Sequence, residues 1–213
     1  MLTRPLLFLL LCSAAGYGQS QSPLQQVGVI PLLGVRGRID HLSIDVKNGR
    51  LFVAALGNNT VEVVDLKSAK RVDSIAGLSE PQGVLYVPSV NRVYVANGGD
   101  GSLRIFDGSS FRLLKTIGYG DDADNIRYGA DHNRVYVGYG GGALGAIDQD
   151  GAKTGDIRLD AHPESFEIET NGSRIFVNLP GSRKIAVIDR TKGSVETSWS
   201  IPGATGLRIP SRM

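Results

Sequence analysis

The sequence predicts an all-β fold: a β-propeller of four-stranded antiparallel blades, with about four blades present and a ring that is either closed or incomplete. Three observations predict it. An arginine followed by an apolar triplet recurs as Arg50-Leu51-Phe52-Val53, Arg92-Val93-Tyr94-Val95, Arg134-Val135-Tyr136-Val137 and Arg174-Ile175-Phe176-Val177, at spacings of 42, 42 and 40 residues. In a second register, an aspartate closes a later apolar run at Asp65, Asp107, Asp148 and Asp189, spaced 42, 41 and 41. Each period also holds four short β-rich runs bounded by Gly, Asn, Asp or Pro, the pattern of consecutive antiparallel strands. A four-stranded unit of this kind cannot bury both of its faces alone, and radial stacking of such units is the propeller solution.

Taken in chain order, Met1 to Gly18 reads as a secretory signal. Arg4 lies in a short leading region, an apolar core runs from Leu6 to Cys12, and small residues follow at Ser13, Ala14, Ala15 and Gly16. The expected cleavage follows Ala15, with Gly18 as the alternate. The apolar core is about half the roughly 20 residues a bilayer span needs. The only cysteine, Cys12, lies inside this segment, so the mature chain forms no disulfide of its own. Leu11 precedes it where a lipoprotein signal wants a small residue. The expected location is periplasmic or extracellular, with no membrane span in the mature chain.

Residues 19–26 read as a linker and 27–201 as the propeller repeats, divided at about 39–78, 81–119, 123–160 and 162–201, with 202–213 as the start of an unfinished repeat or tail. In the first copy the runs are Leu42 to Val46, Leu51 to Ala55, Val61 to Asp65 and Arg71 to Ile75. The second run is apolar on both sides, as a strand between stacked sheets must be, and the outermost run is the most polar. Lys47-Asn48-Gly49 and Thr170-Asn171-Gly172 supply residues that tolerate positive φ in a tight hairpin. The aspartate ending each third run is expected to cap the following turn through its side chain.

The run Gln26-Val27-Gly28-Val29-Ile30-Pro31-Leu32 matches a fourth strand leading into the next repeat, so the strand count becomes one plus four times four, or 17. That outer strand has no blade to join. Two explanations compete: a chain cut short from a longer propeller, favoured by the tail Leu207 to Met213 that continues no repeat, or a small four-blade ring with a frayed first strand. An open ring would leave apolar blade faces available for self-association.

Tyr94-Val95-Ala96-Asn97, with Phe52-Val53-Ala54, Tyr136-Val137-Gly138 and Phe176-Val177-Asn178 as looser versions, resembles the YVTN-type propeller repeat of YncE-like bacterial proteins. The resemblance covers about Val27 to Ile201. It implies the propeller fold but no single activity, since similar repeats occur in quinoprotein dehydrogenase subunits and in lactonase-like enzymes. The Gly-His and Trp-Asp marks of the WD40 repeat are missing.

Charge is nearly balanced, 23 Lys and Arg against 21 Asp and Glu, and no basic stripe invites nucleic acid. The stretch Gly140 to Gly145 satisfies G-x-G-x-x-G, but the repeat register makes it a hairpin turn with no helix behind it. Asp148-Gln149-Asp150-Gly151 and Asp121-Asp122-Ala123-Asp124 cluster acids as calcium loops do, without the later bidentate glutamate. No catalytic residue set is visible. His132 belongs to a turn, whereas His41 and His162 do not.

In repeat register, the entries to the four first strands read Asp40-His41, Gln82-Gly83, Asp124-Asn125 and Glu164-Ser165, with His162 just before the last. First strands line a propeller's central channel, so Asp40, His41, Gln82, Asp124, Asn125, His162 and Glu164 are expected to converge at one mouth. Converging carboxylates raise the negative potential and offer hard oxygen ligands. Channel mouths also collect polar turn residues for no functional reason. The leading expectation is a non-catalytic exported propeller that binds a small molecule, an ion or a protein partner there, the cofactor unassigned and a divalent metal ion compatible with the residues. Alternatives are a metal-assisted, lactonase-like hydrolase using Asp40, His41, Asp124 and Glu164, a quinoprotein-like enzyme, and a structural surface module.

Overall fold

The computed structural model describes residues 24–130 and 132–203. The first sheet holds β1 (Leu42–Asp45), β2 (Arg50–Ala55), β3 (Thr60–Asp65) and β4 (Lys70–Ile75). The second holds β5 (Pro81–Val87), β6 (Arg92–Asn97), β7 (Ser102–Asp107) and β8 (Leu113–Gly118). The third holds β9 (Ile126–Gly129), β10 (Arg134–Tyr139), β11 (Ala143–Asp148) and β12 (Lys153–Arg158), and the fourth β13 (Ser165–Ile168), β14 (Arg174–Leu179), β15 (Lys184–Asp189) and β16 (Ser194–Ser200). In every sheet the strands lie in sequence order and pair antiparallel, so each sheet is one blade and one sequence repeat. Among the described residues there is no α-helix, and none long and apolar enough to cross a membrane.

The blades stack through three buried clusters with one repeating design. The forward face of blade 1, with Phe52, Ala54, Val61, Val63 and Ile75, packs on the back face of blade 2, with Val84, Tyr86, Val93 and Val95. Tyr94, Leu103, Ile105 and Ile117 of blade 2 meet Ile126, Val135 and Val137 of blade 3 in the same way. Tyr136, Leu144 and Ile157 of blade 3 meet Phe166, Ile175 and Val177 of blade 4. Alternation along a strand sends successive side chains to opposite faces, so one apolar strand feeds two clusters: Tyr94 faces forward while Val93 and Val95 face back. The outer strands β4 and β16 bury almost nothing.

Two of the four recurring arginines, Arg50 and Arg92, staple one blade to the next. Arg50 reaches the Gly108 carbonyl of the next blade at 2.6 Å while its guanidinium lies over Phe52, Tyr86 and Phe111. Arg92 reaches the Gln149 carbonyl and, at 2.9 Å, the Asp150 carboxylate of blade 3. The recurring aspartate caps its turn in all four blades, accepting from Ser68 N, Ser110 N, Ala152 N and Thr191 N at 2.6–2.9 Å.

Two expectations are corrected. Residues 26–32 form no strand: Val27 and Val29 stand exposed. An outer strand gains stability only by pairing with a third strand, and β4, β8, β12 and β16 already occupy those edges. The turn after β13 also departs from the positive-φ reading. Gly49 does adopt φ 66°, but neither Asn171 nor Gly172 lies at positive φ. A Cβ at Gly172 would meet only the Glu169 carboxylate, the end of a side chain that pairs with Arg174. The proposed signal at 1–18, the leading part of the 19–26 linker and residues 204–213 lie outside the described residues.

Candidate functional site

Asp40, Asp124 and Glu164 sit just ahead of their inner strands, where the ladder continues as single backbone bonds, whereas Gln82 lies within β5. Asp40 N donates to Ala54 O at 2.9 Å, Asp124 N to Gly138 O at 2.9 Å and Glu164 N to Asn178 O at 3.2 Å. The same register in three blades aims three acidic side chains at one end of the stack. His41 N donates to Gln82 O at 3.2 Å, tying the entries of blades 1 and 2 together.

Asp124, His162 and Glu164 form the centre: one ligand atom from each lies within 4.8 Å of the others. Asp124 is buried, and its Oδ1 has no hydrogen-bond partner. An unpaired buried carboxylate oxygen costs about 1–3 kcal/mol or more, so this atom calls for a cation or donor. His162 Nε2 faces Asp124 Oδ2 at 3.8 Å, and its Nδ1 lies 2.6 Å from the Gly140 carbonyl. A carbonyl only accepts, so Nδ1 carries the proton and Nε2 is the nitrogen aimed at the carboxylates. Metal-binding histidines are commonly oriented by such a carbonyl.

Charge in this pocket is only partly compensated, because the one imidazole faces two carboxylates. The Asp124 carboxylate, against the opposing effect of burial, and with help from the Gly140 carbonyl, raises the His162 pKa to about 9. Burial first and then the Asp124 charge push Glu164 above the usual carboxylate range. A bound cation would relieve both the Asp124–Glu164 repulsion and the desolvation.

His41 and Asn125 form an adjoining network rather than part of this centre. His41 Nδ1 lies 3.0 Å from Asp40, whose carboxylate also pairs with Arg38 at 2.6 Å. Asp40 raises the His41 pKa despite burial of the ring. Asn125 Oδ1 accepts from Arg127 Nη1 at 2.5 Å, which fixes the amide so that Nδ2 approaches His41 Nε2 at 2.9 Å and the Glu164 carbonyl at 3.4 Å.

Gln82 is drawn aside: its Nε2 donates to Asp122 Oδ1 at 2.8 Å. Sequence register thus gathers all seven named residues at one end, and the fold sorts them into a triad, a polar network and a brace. The sequence pattern does not mark Arg38, Asp122 and Arg127 for the mouth, although each lies two residues from a named position. A Cβ at Gly83 would collide with the Asp124 carbonyl, so its bare backbone sets where Asp124 stands.

Four sheets stacked face to face about a polar mouth define a β-propeller fold, and a solved structure similar to this chain illustrates it. It is the hydrazine synthase of Kuenenia stuttgartiensis, 24% identical, with a TM-score of 0.69 over 82% of this chain and 53% of that chain. This chain therefore spans about half the length of that one. No protein-family model and no curated protein matches the sequence.

Proposed function

We propose that this chain is an exported, non-catalytic propeller module of the YVTN type, similar to YncE-like proteins, whose channel mouth binds a divalent cation through Asp124, His162 and Glu164. The observation that carries it is the buried Asp124 carboxylate, its Oδ1 unpartnered, beside an imidazole nitrogen and a second carboxylate. Two carboxylates with one imidazole suit a borderline first-row ion such as zinc or manganese better than calcium or magnesium, which prefer oxygen alone. Three protein ligands leave positions open for water or for an anionic or hydroxylated small molecule.

Binding is favoured over hydrolysis because His41 Nε2 of the neighbouring imidazole is taken up by the Asn125 amide and the ring's other nitrogen lies 3.0 Å from the Asp40 carboxylate, turned from the pocket centre. A base for water needs a free lone pair within reach of the proton it takes. The export reading rests on the segment Met1 to Gly18.

Calorimetric titration of the metal-free protein with zinc, manganese and calcium tests the cation reading. One ion per chain is expected, with zinc or manganese bound more tightly than calcium. Asp124→Asn and Glu164→Gln should each weaken binding at least tenfold, in line with losses of ligands and their supports. Absence of binding by the unaltered chain refutes it. Sequencing the N-terminus of protein recovered from the cell envelope, with a start at Gly16 or Gln19 expected, tests export.

A further inference from the structure

The glycine-rich hairpin between β10 and β11 walls a second cavity, separate from the cation site. It encloses about 300 Å³, and its lining includes Tyr139, Gly141, Asp156 and Arg158. That volume falls at the lower end of small-molecule sites. Gly140 belongs to both places: its carbonyl meets His162 Nδ1, and its backbone lines this cavity.

Strand register builds the wall. Tyr139 pairs with Ala143, which pairs with Arg158, and in the next row Gly145 pairs with Asp156. Residues two apart on a strand share a face, so Tyr139, Asp156 and Arg158 stand on one side of blade 3. The small Ala143 and Gly145 between them leave room for the long side chains to meet, and Tyr139 Oη donates to Asp156 Oδ1 at 2.9 Å.

Tyr119, from the connection into blade 3, stiffens this wall. Its ring lies against Tyr139 with centroids 4.5 Å apart, and Lys153 Nζ sits 4.4 Å from its centroid. Only glycine admits it, since a Cβ at Gly145 would stand 2.6 Å from the Tyr119 ring. Tyr139 is thus backed by a second ring and held at its hydroxyl, a rigid aromatic surface at the cavity. The Tyr119 hydroxyl is buried without a hydrogen-bond partner, a cost of about 1–3 kcal/mol that phenylalanine would avoid, so packing alone does not account for this residue.

Gly141 adds a different signal. Its φ is not positive, and a Cβ there would meet nothing within 4 Å. Neither backbone conformation nor packing calls for glycine, and the bare position keeps the cavity open.

We propose that this cavity binds a neutral saccharide ring. Tyr139 offers an aromatic surface to the C–H face of the sugar, Asp156 accepts from its hydroxyls and Arg158 donates to them. A carboxylate beside a guanidinium leaves no net charge, which selects a neutral polyhydroxylated ligand over an anion or a cation. The stretch Gly140 to Gly145 serves as a cavity wall and a seat for Tyr119, not as a phosphate loop.

Saturation-transfer NMR on the full chain, with the methyl glycosides of glucose, galactose, mannose and N-acetylglucosamine, tests this. EDTA is present throughout, so the outcome is independent of the cation site. At least one glycoside should bind and should shift the Gly141 and Gly142 amide signals rather than that of Ser165. Tyr139→Ala and Asp156→Ala should each weaken that glycoside about tenfold or more, the worth of an aromatic contact or a charged hydrogen bond. Gly141→Leu should abolish binding with Tm unchanged, and it carries the test if Tyr139→Ala loses its fold. Failure of all four glycosides to bind, binding that survives Gly141→Leu and Asp156→Ala, or shifts centred on Ser165 overturns the proposal. So does binding of glucosamine or glucuronate more than about tenfold tighter than glucose, which would mark a charged ligand.

Discussion

Arg50 holds the buried Asp45 carboxylate at 2.7 Å and crosses to Gly108 of the next blade. Removing one partner of a buried ion pair leaves an uncompensated charge, a loss of about 3–5 kcal/mol. Arg50→Ala should lower stability by that order in denaturant titration, and Arg50→Lys should recover only part, because an ammonium cannot keep both contacts and the stack on Phe52 and Tyr86. A loss under 1 kcal/mol would show that the staple is incidental. Its periodicity was plain in the sequence. Its role was not, because its acceptors are main-chain carbonyls of the following repeat, which no side-chain pattern reveals. The same limit explains Gln82: register placed it at the mouth, but Asp122 decides where its amide points.

The turn aspartates act together on pH. In Asp45, burial opposes ionisation but hydrogen bonds from Asn48 and Arg50 outweigh it, and the carboxyl lies below its ordinary value. Bonds from the Ser68 and Ser110 amides lower Asp65 and Asp107, and those from Thr191 and Lys192 lower Asp189. A carboxyl lowered by folding stabilises the fold fully above its unfolded value, near 3.9, and loses that contribution as pH falls through the folded value. Thermal midpoints should therefore hold steady from neutral pH to about 5 and drop steeply below about 4. Asp107→Asn should flatten that acid limb measurably; an unchanged limb would remove this aspartate from the account.

At the scale of elements, the strand entries carry the site, and Gly83 is the most exacting position among them. A methyl group there would press on the Asp124 carbonyl, and overpacking of this kind costs roughly 1–3 kcal/mol. Gly83→Ala should thus destabilise the chain and weaken zinc binding about tenfold or more, since ligand supports are worth 10–100-fold. Stability lost with affinity intact would separate Gly83 from the site. The four-strand repeat, the turn caps and the hairpin at Gly140 to Gly145 followed from period, alternation and turn chemistry, which are local. The strand expected at 26–32 failed because pairing is not local: its residues suit a strand, but no third strand offers it an edge.

For the whole molecule, stability is a chain of neighbours: blade 1 touches blade 2, blade 2 touches blade 3 and blade 3 touches blade 4 through separate clusters. In such a stack the outer units lack one interface each and limit cooperativity. Leu144→Ala, which opens the cluster shared by blades 3 and 4, should cost about 2–5 kcal/mol and lower amide-exchange protection in those two blades before blade 1. Equal loss of protection in all four blades would show that the stack unfolds as one cooperative unit.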